Sequence, residues 1–161
     1  MALIVTEMVR LDALDRRILA QLQRDASLSN ADLAERVGST GPSCWRRIRS
    51  LEEAGVLGRT IRLADQVKLG HGVNMLCNVR MRTFEADSVA AFETFVQAEA
   101  RIMECFSMSG DWDYLLRVVA TDVADYETFL MQRLVKHPSV AGASSHLALR
   151  VAKYQTAIPV V

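Results

Sequence analysis

"SLSNADLAERVGSTGPSCWRRIRSLEEAGVL", residues 27–57, carries two short helical patterns separated by a tight break. Ser29 followed three residues later by Asp32 is an acid-bearing relative of the capping box, Leu33 and Val37 supply a buried side, and Gly38 is a stop. The second pattern begins with Pro42 in its first turn and closes at Gly55. Upstream, "LDALDRRILAQLQRDA" (11–26) places Leu11, Leu14, Ile18, Leu19 and Leu22 on one stripe behind a candidate N-cap, Asp12. Three compact helices with a tight turn between the second and third predict a helix-turn-helix, winged-helix-like unit over 1–62.

On the third helix Cys44, Ile48 and Leu51 share the inward side at i, i+4 and i+7. Ser43, Arg46, Arg47 and Ser50 then project together, two guanidinium groups and two short hydroxyls. Arginines bond phosphates or guanine edges in paired geometry, small hydroxyls let a backbone approach, and a helix N-terminus favours phosphate. Across 39–62 five arginines (46, 47, 49, 59, 62) face two glutamates (52, 53), a local net charge of +3 inside a chain whose 19 basic and 19 acidic side chains cancel. An arginine pair on an arbitrary helix is usually a solvated face, and the helix-turn-helix context shifts that weight towards nucleic acid. Trp45, between the two faces, is assigned to packing against the first helix.

The second half changes period. "VNMLCNVRMRT" alternates Val73, Met75, Cys77, Val79 and Met81 with mostly polar partners, a strand with one apolar face. A helix over 86–100 follows, then two strands, "IMECFSMS" and "WDYLLRVVAT", joined at Gly110 and Asp111. A helix from 122 to 137 carries Val123, Tyr126, Leu130 and Leu134 inward and ends at Pro138, and a last strand runs over 143–151. This βαββαβ order is the ferredoxin-like plan, assigned to 73–161 after a polar connector at 63–72, so the predicted class is α+β.

Half of the 161 residues are hydrophobic and 24 % are charged, which suits one ordinary or two small domains. Three scattered cysteines argue against a disulfide framework, and with the three histidines they show no metal-ligand spacing. "MALIVTEMVR" lacks a basic leader and nothing approaches a membrane span, so a cytoplasmic protein without membrane partners is expected.

"SMSGDWDYLL" (107–116) places two carboxylates and two aromatics around a glycine. Asp111 and Asp113 have no acid, base or nucleophile to complete a catalytic site, and oxygen-ligand metal sites gather more carboxylates. Two readings stay open: a plain turn in which Gly110 takes an unusual backbone angle, and a pocket in which backbone donors meet a carboxylate, an Asp meets an ammonium, and Trp112 or Tyr114 walls off an apolar side chain. On the strand after it, apolar residues occupy both faces, while two helices cover only one. The other face is therefore expected to meet a second copy.

These features in this order resemble the leucine-responsive and asparagine regulator (Lrp/AsnC) family of bacterial and archaeal transcription factors. Residues 11–57 look like its DNA-binding domain; "MSGDWDYLLRVVATDVADYETFL" and "HPSVAGASSHLALRVAKYQTAIPV" look like its effector domain. The chain departs from the family in the turn, which reads "STGPS", and on the last strand, where Ser145 aligns with a frequent threonine. The resemblance implies double-stranded DNA bound through the third helix, with Thr40, Ser43, Arg46, Arg47, Arg49 and Ser50 as candidate contacts. It also implies dimers assembling to octamers, and an amino-acid effector at Ser109, Gly110, Asp111, Trp112, Asp113, Tyr114 and Ser145. No cofactor, metal or catalytic residue is implied. The competing expectations are a small-molecule carrier or metabolic enzyme of ferredoxin-like fold, and a DNA-packaging protein of low sequence preference.

Overall fold

The structure, a computed structural model, describes residues 9–160. Helix α1 (Ala13–Leu22) begins where Asp12 accepts from the Leu14 and Asp15 N–H groups while the Asp15 carboxylate accepts from the Asp12 N–H. This reciprocal cap satisfies donors that a helix start leaves open. In α2 (Asn30–Val37) the Ser29 hydroxyl accepts from Asp32 N–H at 3.1 Å, and Gly38 ends the helix at φ +66°, a left-handed angle that penalises a side chain. Thr40 caps α3 (Gly41–Glu53), with Pro42 in its first turn.

The three helices close over Ile18, Leu33 and Cys44, all at 0 % exposure, with Leu19, Val37 and Leu51 beside them. Arg17 Nε donates to the Val37 carbonyl at 3.1 Å and ties α1 to the end of α2. The chain divides into two units, and the described residues from Lys153 onward group with the helices up to Arg62 rather than with the second half. The tail of the expected 73–161 domain thus lies against the helices, and the contacts are local. Gln23 donates to the Ile158 carbonyl (3.0 Å) and accepts from the Ile158 N–H (2.7 Å), while Val160 packs on the helical core.

The second unit spans Leu63–Ala152. The expected connector at its start holds a turn in which Asp65 accepts from the Val67 and Lys68 N–H groups. Strands β1 (Val73–Met81), β2 (Ile102–Ser107), β3 (Tyr114–Ala120) and β4 (Val140–Leu147) form an antiparallel sheet in the order β2-β3-β1-β4. Helices α4 (Ala86–Ala98) and α5 (Val123–Phe129, continued by a π-helical turn at Leu130–Leu134) complete the ferredoxin-like unit. Met75, Cys77, Val79 and Met81 alternate into a core shared with Tyr114, Leu116, Val118, Phe92, Tyr126, Phe129 and Leu134.

Two element details differ from the periodicity. Val123 is 56 % exposed, and Phe129 takes an inward place beside Tyr126. The last strand covers 140–147, not 143–151, because among the described residues β4 pairs with β1 alone; Ala148 N–H donates to the Asn74 carbonyl near the start of β1, and Leu149 beyond it is 90 % exposed. The face opposite the helices carries Leu76, Arg80, Leu115, Phe106 and His146, of which Leu76 and Phe106 are exposed hydrophobics. Among the described residues no helix is long and apolar enough to cross a membrane.

Candidate functional site

The outer stripe of α3 consists of Pro42, Trp45, Arg46, Arg49 and Ser50, all exposed, and lies one residue round from the expected Ser43–Arg46–Arg47–Ser50 line. Ser43 and Arg47 are half-buried. Arg47 turns towards α1, donating to Asp15 at 2.9 Å and also to Asp12. The Asp15 contact, with Asp12 behind it, raises the Arg47 pKa above its ordinary value; the Asp15 N–H, and after it Arg47, lowers that of Asp12. The placement of Arg47 on the free face is therefore corrected: the acidic cap of α1 lies within its reach and claims it. Thr40 is exposed, and its hydroxyl oxygen accepts from Ser43 N–H at 3.4 Å.

Trp45 is the second correction. It does not pack on α1; it is 56 % exposed, with the Arg49 guanidinium over its ring at 5.9 Å. Cys44, Ile48 and Leu51 complete the inward stripe, and a residue one step along a helix from Cys44 swings out of that stripe. A cleft of about 300 Å³ flanks the same helix, lined by Arg10, Asp15, Arg46, Arg47 and Ser50 among others. Arg10 lies outside the periodic segments, so pattern reading had no signal for it.

In the second unit, Ser109, Gly110 and Asp111 are exposed, and Gly110 has φ +136°, which favours glycine. The Asp111 carbonyl accepts from Arg80 Nη2 at 3.0 Å, and the Arg80 guanidinium lies over the Trp112 ring at 4.8 Å. Asp113 is committed to the sheet: its N–H donates to the Val79 carbonyl (3.0 Å) and its carboxylate accepts from Met81 N–H (2.7 Å), next to the bulge at Arg80/Met81. Tyr114 is 7 % exposed against Phe92, with its hydroxyl 3.4 Å from Glu93; burial first and Glu93 second push its pKa up. Ser145 meets the Tyr126 hydroxyl at 2.5 Å and Cys77 Sγ at 3.6 Å.

The pleat explains this split. Tyr114 pairs with Val79 and Ser145 with Cys77, so both lie on the helix-covered face, whereas 109–112 and Arg80 stay accessible. Arg80 was missed in the sequence because only the register, not the alternation, places it beside the loop. The accessible set offers guanidinium and backbone donors for an anion and an indole wall for an apolar group. Among the described residues no cluster of three or more His, Cys, Asp or Glu side chains could hold a metal.

Three helices that expose arginines from the last one, with a separate sheet unit bearing an accessible donor loop, define a DNA-binding regulator with a ligand-binding domain. Comparison with known families agrees: residues 11–57 match a winged helix-turn-helix DNA-binding model, and residues 74–158 match the Lrp/AsnC ligand binding domain. The chain belongs to the Lrp/AsnC family of transcription regulators. It is 36 % identical to the Bkd operon transcriptional regulator of Pseudomonas aeruginosa over 152 residues, 94 % of this chain and 99 % of that protein. An AsnC family transcriptional regulator from Agrobacterium tumefaciens superposes with TM-score 0.88 at 39 % identity, covering 92 % of this chain and 97 % of the other. A transcriptional regulator of Neisseria meningitidis, solved as a complex with L-methionine, superposes with TM-score 0.90 at 31 % identity, covering 93 % and 97 %.

Proposed function

We propose that this chain is a sequence-specific, cytoplasmic transcription regulator whose DNA binding or assembly responds to an amino acid. The observation that carries the reading is the exposure of Arg46, Arg49 and Ser50 together on α3. In this reading the two arginines bond base edges and phosphates, Ser43, Ser50 and the Thr40 O–H add phosphate contacts, and Arg47 acts from behind by fixing α3 against α1. Ser109, Gly110, Asp111 and Trp112, with Arg80, receive the effector: guanidinium and backbone donors take its carboxylate and the indole takes its side chain. Asp113, Tyr114 and Ser145 shape that site through the strands they hold. The methionine held by the Neisseria relative makes an apolar amino acid the first effector class to try. The open sheet face meets a second copy, and the family resemblance extends such dimers to octamers; a two-fold assembly presents two α3 helices to two half-sites.

Genomic fragments retained by the full chain, titrated at two salt concentrations, test the DNA half. Binding is expected to weaken steeply with salt, because each neutralised phosphate releases counterion. Retention no better than that of random duplex, or affinity indifferent to salt, would remove the regulator reading. Calorimetry with the standard amino acids tests the effector half, and no binding by any of them would end it.

A further inference from the structure

Trp45 is left with most of its indole in water although the inward stripe of α3 is complete without it. An aromatic face held open in the isolated chain is free to make an apolar contact in a complex. The surroundings indicate which complex. Arg46 and Arg49 stand on the same stripe, one of them over the ring at 5.9 Å, so any partner that covers the indole must also accept two guanidinium groups. A polyanion does this, and an apolar protein surface does not. Within the major groove of duplex DNA the one apolar group on the base edges is the 5-methyl of thymine, and its O4 beside it is an acceptor for an indole N–H.

We propose that Trp45 is a specificity-determining residue that selects thymine at one position of each half-site by packing its indole on the 5-methyl group. Arg49, over the ring, holds the indole in place, and Arg46 supplies the polar contact alongside. The inference rests on α3 being the helix that enters DNA, and it adds a base preference to that reading.

Replacing single thymines by deoxyuridine in a duplex selected by the full chain removes the methyl and leaves every hydrogen-bonding group in place. At one thymine per half-site the wild-type affinity is expected to fall about fourfold, the loss that goes with one unburied methyl. Trp45→Ala is expected to bind the original duplex more weakly and to lose that sensitivity, while Trp45→Phe keeps part of it. Because the residue is exposed, both variants should melt as the wild type does. Methyl-insensitive binding by the wild type, or equal sensitivity in Trp45→Ala, overturns the proposal while leaving DNA binding by α3 standing. A Trp45→Ala chain that loses self-association and keeps its thymine sensitivity also overturns it, by making Trp45 a subunit contact. Failure to select any duplex overturns the underlying reading of α3 instead.

Discussion

Arg46 and Arg47 stand one residue, and therefore about 100°, apart on α3, and that rotation separates their tasks. Arg46 is exposed; Arg47 is clasped by the carboxylates of Asp12 and Asp15. Arg46→Ala is expected to weaken duplex binding across all sequences and to leave thermal unfolding unchanged. Arg47→Ala is expected to cost about 1 kcal/mol of stability, the modest scale of a partly exposed ion-pair cluster, measured by urea unfolding. Equal melting of the two variants would undo the distinction. His137 supplies a different residue-scale test. Its ring lies 5.0 Å from that of Phe95 and 5.9 Å from that of Phe92, its Nδ1 accepts from Ser139 N–H at 3.2 Å, and desolvation holds its pKa below the ordinary 6.5. The unfolded chain then takes up the proton first. Stability from the neutral ring is complete above about pH 6.5 and is lost as pH falls through the lower folded value. Denaturation at pH 7.5 and 5.5 should show this decline in the wild type and a smaller one in His137→Leu.

At the scale of elements, the ends of β1 and β3 organise the 109–112 loop. The Met81 N–H lies beyond the last β1–β3 pair, Val79 with Tyr114, and the Asp113 carboxylate takes the place of the missing ladder partner. Asp113→Ala is therefore expected to lower stability by about 1.5 kcal/mol, the lower end for a hydrogen bond to a charged group, whereas Asp113→Asn keeps an acceptor and loses less than half of that. Equal losses in urea unfolding would count against the capping role. The same elements show what the sequence could convey. The Asp12, Ser29 and Gly38 punctuation and the alternation of β1 are local chemistry, and each stands where its pattern placed it. The commitment of Asp113, the reach of Arg80 to Asp111 and the inward turn of Ser145 depend on strand register and on a bulge, which are properties of paired strands. Trp45 and Arg47 were misplaced for a related reason. A helical wheel gives angles on one helix, and only the position of α1 decides which angle faces a partner.

At the scale of the whole molecule, the proposed contact between copies falls on the open face of the sheet. Leu76 is opposite Arg117 and His146, and Phe106 is opposite Leu115, so one surface joins all four strands on the side away from α4 and α5. Leu76 is 37 % and Phe106 51 % exposed, a pair of hydrophobics on adjoining parts of a face that water alone would not favour. A two-fold partner placing the same face against it would bury both side chains twice, and the polar neighbours Arg117 and His146 would form its rim. Glutamates at both positions, Leu76→Glu with Phe106→Glu, put four unpaired carboxylates into that contact while changing nothing in the helix-covered core. The double variant is expected to sediment as a monomer at concentrations where the wild type does not, with an unchanged circular dichroism spectrum. It should hold a single half-site about as the wild type does and lose the added affinity that a second, linked α3 helix gives on a two-half-site duplex. A double variant that sediments as the wild type does places the subunit contact elsewhere on the chain.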